Sequence, residues 1–493
     1  MLTDAPVIEM PANEIGSFAF RDESVLGTRM QLVFVADTFA AAHEAALAVR
    51  AEIDRLDLIL NSRRADSELS VLNRSSIYRA SAELFAVVSA AEHWFAMTHG
   101  AFSGRLGRVI DLWRHASSSA PSHDLLAQLA QAAARAHVEL DTATRTVTRP
   151  DAVQFALDGI AKGWIVDRAF VTARAMPGVC GALVDIGGDV RCGGQTPGPE
   201  GWQVDVADPT LPFDNAPIVA RAHLTDHAIA TSGRGPRDRL LGGVRYSPTL
   251  SPHDGWPIAH HVSASVIATS TADADALATA LLVMPVSQGL ALADQHGATA
   301  RIETTERTPT WTRLAQTATT PAHFSAMQSR DKTVALADGA LWQDGWQALA
   351  TFTAPRRQLI RDPQFRSPYM AMWITDVDNK PVRTLILVGK RADWQKDNFI
   401  WWSMNRSRTE RLVSTRSMST SGAGVYNVFW DGVDDAGNIV RAGTYVLHVE
   451  TSRERGKHTY RSLTLDFGKF QRFTEVLPPT EEGGGLRVGF DHY

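Results

Sequence analysis

Apolar residues recur at two periods along this chain, and the change of period divides it. Over residues 40–60, Leu47, Ile53, Leu56 and Leu60 lie at helical spacing, with Glu44, Arg50, Glu52 and Arg55 on the other faces. Residues 81–97 predict a second helix, with Ser81 as N-cap and Gly100 beyond its end. Residues 125–135 predict an Ala-rich helix. Residues 164–174 predict another, opened by a Gly-Ile-Ala-Lys-Gly turn at 159–163. Residues 18–35 read as a strand pair turning near Gly27-Thr28, and 182–190 as a buried strand followed by glycines. Val262, Ala264, Val266 and Ala268 alternate on one face of a further strand, and an Ala-rich helix follows to Met284. Interleaved strands and helices over 17–306 predict an α+β domain.

The pattern then changes. Residues 307–343, rich in Thr, Pro, Ala and Gln, read as a linker. Over 344–468 only short strands and turns remain (370–375, 383–388, 426–429, 444–451, 461–467), which predicts a small β-sandwich. The dense Asp and Gly of 430–438 read as hairpin turns. Residues 469–493, with Glu-Glu-Gly-Gly-Gly among them, read as a loose tail.

Charge and composition narrow the function. The net charge of −5 and scattered basic residues exclude a generic nucleic-acid partner. The longest apolar stretches, such as 278–286, fall short of the ~20 residues a spanning helix needs. The first sixteen residues carry Asp4, Glu9 and Glu14 and no basic stretch, so they do not read as a secretory signal. Two cysteines, Cys180 and Cys192, exclude a disulfide framework and read as buried free thiols near one strand.

Five segments carry candidate chemistry. On a helix starting near Thr271, Asp275, Ala278 and Thr279 share one face among small residues. Such a face, turned outward, can hold a hard cation through oxygens, or be an ordinary first turn. Gly159-Ile-Ala-Lys162-Gly163 permits close backbone approach, and a helix following it offers N–H groups to a phosphate. The spacing is not that of a Walker loop. Asp185-Ile-Gly187-Gly188-Asp189 sets a double glycine between carboxylates, suiting either a ligand against backbone or a tight β-turn. Ser67 to Asn73 and Ala230-Thr231-Ser232-Gly233 are short hydroxyl-rich stretches that grip a ligand or cap a turn.

In their order, these segments resemble the motifs of the FAD:protein FMN transferase (ApbE) family. Gly27-Thr28 is similar to its early Gly-Thr element, and 67–73 to its Ser-x-x-Ser-x-Leu-Asn stretch. Gly159 to Gly163 with Asp167 resembles Gly-Ile-Ala-Lys-Gly-x-x-x-Asp, and 185–189 resembles Asp-x-Gly-Gly-Asp. Ala230 to Gly233 resembles Ala-Thr-Ser-Gly, and 274–281 resembles its Asp helix. The resemblance implies a mixed sheet with helices and FAD in a cleft. It implies one Mg²⁺ on the Asp275 carboxylate and the carbonyls of Ala278 and Gly159, with Thr279 beside it. FAD, the substrate, would meet Thr28, Ser70, Asn73, Gly159, Lys162, Asp185, Gly187, Gly188, Thr231 and Ser232. Asp275, Lys162 and Thr279 would carry catalysis, passing FMN to a Thr or Ser of an acceptor protein of redox or electron-transport type and releasing AMP. The family is mostly exported, which points to the periplasm; the missing signal leaves the cytoplasm open.

Two stretches depart from the family pattern. Tyr246-Ser-Pro248-Thr-Leu-Ser251-Pro252-His253 stands where it has Tyr-Ser-His-x-x-Asp-Pro, and Phe102-Ser-Gly-Arg105 where it has Phe-Asp-Pro-Thr. The alternative is therefore a protein that binds or hydrolyses FAD without transfer, its β-domain docking a partner. The β-domain resembles a predicted periplasmic family of unknown function, through Tyr369-Met-Ala-Met-Trp373, Arg383-Thr-Leu, Trp430-Asp-Gly and Gly443-Thr-Tyr445. Thr420 and Ser421 lie near a Ser-Gly-Ala-Gly run that is similar to a flavin-acceptor sequence, off register.

Overall fold

The computed structural model describes residues 15–198, 201–211, 213–233, 238–259, 261–304, 310–311, 322–326, 333–334, 340–353, 369–388, 398–405, 416–417, 424–452, 458–480 and 484–492. Thr420 and Ser421 lie outside them.

The first half is the expected α+β domain. Its main sheet has eight strands. It opens with the antiparallel pair Gly16–Val25 and Thr28–Ala36, the turn between them carried by Leu26 and Gly27 at positive φ. Strands Val179–Ile186, Asp189–Gly194, Ala228–Gly233, His261–Ala268 and Thr299–Thr304 follow across the sheet, and Thr310–Trp311 closes it. Thr38 caps the long helix Phe39–Leu60 through Ala41 N–H. Its buried stripe is Ala42, Ala45, Val49, Ile53, Leu56 and Leu60. Leu47 faces solvent, because small alanines, rather than large residues, fill that end of the contact.

Two predicted turns take other forms. The Gly-Ile-Ala-Lys-Gly segment is helical: the helix runs Asp158–Arg174, starting six residues before the expected position. Gly187 and Gly188, both at positive φ, form a two-residue hairpin joining Ile186 to Asp189. The expected single strand over 182–190 is thus two strands. Cys192 is buried and Cys180 only partly so; both are free.

The second half packs two four-stranded sheets around an aromatic core. One sheet orders Val425–Trp430, Trp346–Thr353, Gly484–His492 and Phe473–Thr480; the other orders Pro381–Val388, Tyr369–Asp376, Thr444–Ser452 and Thr459–Asp466. Trp342, Trp430, Phe467 and Phe490 meet between them, with ring centroids 4.7–5.6 Å apart. The tail expected to be loose is a hairpin of this sandwich, and Gly484–His492 pairs along the full length of Trp346–Thr353. Alternation of Leu486, Val488 and Phe490 into the core explains it. Part of the expected linker is also strand: His323–Ala326 pairs with Ile218–Leu224 in the first half. In the 430–438 turn, Asp434 Oδ1 accepts from Ala436 and Asn438 N–H at 2.9 and 2.8 Å.

Candidate functional site

Two helices cross where the candidate chemistry gathers. Asp158–Arg174 carries Lys162, and Thr271–Leu281 carries Asp275 and Thr279. Glycine sets their separation. A Cβ on Gly163 would lie 2.4 Å from the Thr271 carbonyl oxygen; one on Gly159 would lie 3.3 Å from Thr279 Oγ1. Gly163 N–H donates to Asp275 Oδ2 at 3.3 Å. Asp167, one turn further along, holds the start of the Asp275 helix. It accepts from Thr271 N–H and Oγ1 at 2.9 and 2.8 Å and from Ala272 N–H at 3.0 Å. The face carrying Asp275 is therefore buried against the neighbouring helix, not turned outward as the small residues suggested. Those small residues are the contact surface itself.

The electrostatics are unbalanced. Lys162 Nζ lies 2.7 Å from Asp189 Oδ2. Burial pushes the Asp275 carboxyl well above the usual carboxylate range, and repulsion from Asp189 adds to it; Lys162 and the Gly163 N–H pull the other way. Burial pushes Asp185 up to about 7, opposed by Lys162 and by the Gly188 N–H, which donates to its Oδ1 at 2.9 Å. Three buried carboxylates thus gather about the Lys162 ammonium, and Asp185 also feels the Arg29 charge. Such a site favours added positive charge or a proton.

A small hard cation fits this chemistry. Among the described residues no three His, Cys, Asp or Glu side chains form a metal-holding group. The expected set needs none, because it uses one carboxylate, one hydroxyl and backbone carbonyls, all oxygen. Mg²⁺ accepts few protein ligands and fills its shell with water and phosphate. At the helix crossing Gly159 approaches Thr279 and Gly163 meets Asp275; Ala278 precedes Thr279 on the same helix.

The expected flavin contacts divide. Thr28 Oγ1 is buried and has no hydrogen-bond partner among the described residues, an orphan a ligand could satisfy. The next residue, Arg29, accepts the Gly187 N–H on its carbonyl at 2.9 Å, so Thr28 and the double glycine adjoin. Ser232 Oγ sits 3.2 Å from Thr279 Oγ1, tying its strand to the Asp275 helix. Thr231 Oγ1 meets Ser265 Oγ at 2.9 Å across the sheet. Asn73 is placed otherwise. Its amide donates to the Phe155 carbonyl at 2.8 Å and accepts the Phe155 N–H at 2.7 Å, pinning a chain segment. Ser70 sits on the short helix Glu68–Asn73 and donates its N–H to the Ser67 cap. No described hydrogen bond links either to the Lys162–Asp275 group.

Sequence reasoning passed over Asp189 as a site residue. It read as a flank of the glycines, yet it is 1% exposed and holds Lys162. A Gly-Gly hairpin places the residue after it directly opposite Ile186, and that signal could have found it.

The model of the ApbE family matches residues 26–302, which contain every residue of this helix crossing. The chain belongs to the ApbE family. A Vibrio cholerae protein named FAD:protein FMN transferase is 31% identical over 261 residues, covering 50% of this chain and 77% of that protein. One of the same name from Chlamydia trachomatis is 31% identical over 247 residues, covering 48% and 74%. Among solved structures, the ApbE protein of Thermotoga maritima matches with a TM-score of 0.55 at 25% identity, over 61% of this chain and 98% of that one. The Pseudomonas stutzeri flavinyl transferase ApbE, in its apo form, matches with 0.52 at 27% identity, over 62% and 97%. Residues 354–482 match a second family, described as "Predicted periplasmic protein (DUF2271)". The ApbE match thus covers most of the α+β domain, and the second match covers most of the sandwich. Among the described residues, no helix is long and apolar enough to cross a membrane.

Proposed function

We propose that this chain transfers FMN from FAD to a Thr or Ser hydroxyl of an acceptor protein, releasing AMP. The observation that carries the reading is the buried Asp275–Lys162–Asp189 group at a glycine-spaced helix crossing, on the segments that match the ApbE family. Relatives named FAD:protein FMN transferase support the choice of reaction.

In the proposed step the acceptor hydroxyl oxygen attacks the FMN phosphorus of FAD. The bond from that phosphorus to the bridging oxygen breaks, and AMP leaves with that oxygen. The hydroxyl proton passes to a carboxylate. Asp275 is the candidate for that role by its position at the helix crossing. Lys162 supplies a fixed positive charge to the phosphates, held in place by Asp189. Mg²⁺ on Asp275, Thr279 and the Ala278 and Gly159 carbonyls would neutralise charge on the pyrophosphate. Thr28, Gly187 and Gly188 would receive the flavin nucleotide along the hairpin end. The acceptor would be a redox or electron-transport subunit, and the family of the second domain points to the periplasm.

One observation favours a second reading, FAD binding or hydrolysis without transfer. The altered 246–256 loop uses its polar groups internally: Ser251 N–H donates to the Trp256 carbonyl at 2.7 Å, and Gly255 N–H to the Ser251 carbonyl at 2.8 Å. His253, next in this turn, is exposed, and its backbone N–H donates to Ser251 Oγ at 3.3 Å.

The test mixes the full chain with FAD, Mg²⁺ and an acceptor carrying an Asp-Gly-Ala-Thr site. Covalent flavin fluorescence on the acceptor in a denaturing gel is expected, lost at least ~10³-fold in Asp275→Ala. FMN and AMP without labelled acceptor would establish hydrolysis; bound FAD with neither product would establish a binding protein.

A further inference from the structure

We propose that Arg29 is a positioning residue of the flavin site and that the C-terminal sandwich holds it in place, making the second domain a structural arm of the first domain's chemistry. The inference deepens the transferase reading and rests on it.

The link is a strap, residues 208–211 and 213–217, between the strands Trp202–Ala207 and Ile218–Leu224. It runs along the Val425–Trp430 strand, the edge of its sheet. Asp214 N–H donates to the Asn427 carbonyl at 2.7 Å, and Asn427 N–H donates to Asp214 Oδ2 at 2.8 Å. Asn215 then does with its side chain what a strand does with backbone. It accepts the Phe429 N–H at 3.0 Å and donates to the Phe429 carbonyl at 2.8 Å. Phe213 packs on Phe429 with centroids 5.2 Å apart. Alternate residues of the edge strand are thereby satisfied by the other domain, which covers an edge that would otherwise invite pairing.

Arg29 joins this strap to the site. Its guanidinium pairs with Asp214, whose side chain is only 4% exposed, and lies 4.9 Å over the ring of Tyr426 in the sandwich core. The Asp214 carboxylate therefore bridges Arg29 and the Asn427 N–H. The other end of Arg29 belongs to the flavin side: its carbonyl accepts the Gly187 N–H, Thr28 precedes it, and its charge reaches Asp185. An exposed ion pair contributes little, but this one is shielded and sandwiched by a ring, where arginine's planar fork suits both partners. One residue thus fixes the strand end that shapes the Gly187-Gly188 hairpin, and the sandwich fixes that residue.

The test uses full-chain Asn215→Ala, which loosens the strap without touching the cleft, together with Arg29→Ala and Arg29→Lys. Two readouts need no catalysis: amide hydrogen exchange of the peptide holding Gly187 and Gly188, and FAD affinity by flavin fluorescence with Mg²⁺. Asn215→Ala and Arg29→Ala are each expected to speed exchange at the hairpin and weaken FAD binding roughly fivefold or more, the lower range of coupling between sites. Arg29→Lys, which keeps charge and loses the fork, falls between them and the unaltered chain. Faster exchange over 425–430 in Asn215→Ala, with the hairpin and FAD affinity unchanged, overturns the proposal. Absence of covalent transfer by the unaltered chain would overturn the transferase reading alone, since hairpin exchange still decides the role of Arg29.

Discussion

One buried site in each half of the molecule carries ionisable groups, and the two sites treat them in opposite ways. In the sandwich, Glu450 is fully buried and saturated. Its oxygens accept from Ile400 and Trp401 N–H at 3.0 and 2.8 Å, and lie 2.7 Å from His458 Nε2. His448, pulled down to about 4 by burial, meets Thr375 Oγ1 at 2.9 Å and the Tyr460 hydroxyl at 2.7 Å and stacks on Trp373. These groups are matched and hold the fold. At the helix crossing of the first half, Asp275 and Asp189 repel each other and share Lys162. That set is poised for a cation and a charged substrate, so its unbalanced charge marks chemistry where the matched charge marks structure.

The sharpest way to break this contrast is to remove one carboxylate from each half. Glu450→Ala leaves two buried N–H donors and His458 without their acceptor, and is expected to cost about 3 kcal/mol in chemical denaturation. Asp275→Ala removes a carboxyl held against its ordinary ionisation, and is expected to leave the midpoint unchanged or raised while transfer is lost. A drop of similar size in both variants would erase the distinction.

How far the sequence foretold this site follows from the range of the interactions. Residues that touch within a segment were legible: the Ser81 cap, the alternation of the strand at 262–268, and the motif order from Gly27 to Thr279. Residues whose meaning lies in a distant partner were not. Gly159 to Gly163 read as a turn because glycine disfavours helices; here it is helical, and the absent Cβ admits Thr271 from more than a hundred residues away. The hold of Asn73 on Phe155 spans 82 residues and left no local sign. The Arg29–Asp214 pair is separated by 185 residues, and neither residue belongs to a motif. The hairpin at the end of the chain looked loose because its Gly-Gly-Gly outweighed the alternation after it.

Gly163→Ala isolates the packing side of the contrast. Its methyl would press on the Thr271 carbonyl at 2.4 Å, against backbone that Asp167 holds. A loss of about 1–3 kcal/mol is expected, with weaker FAD binding as the helices separate. An unchanged melting curve would mean that the crossing relaxes freely, and the close approach would no longer explain the glycine.

Asp185→Asn tests the smallest effect, the pH dependence of one mismatched carboxyl without Mg²⁺ or FAD. Burial raises Asp185 from 3.8 to about 7. Between those values the folded chain keeps a proton that the unfolded chain has released. Unfolding therefore binds fewer protons, and stability falls as pH rises through the window. Asparagine has no such proton, and its amide oxygen can still accept the Gly188 N–H. The advantage of Asp185→Asn over the unaltered chain should thus widen between pH 4 and pH 7.5, by on the order of 3 kcal/mol. Asp275 titrates in both chains, so the difference between the two curves belongs to Asp185. Parallel curves would mean that Lys162 and the hairpin N–H already balance this carboxylate, and the charge mismatch would shrink to Asp275 and Asp189.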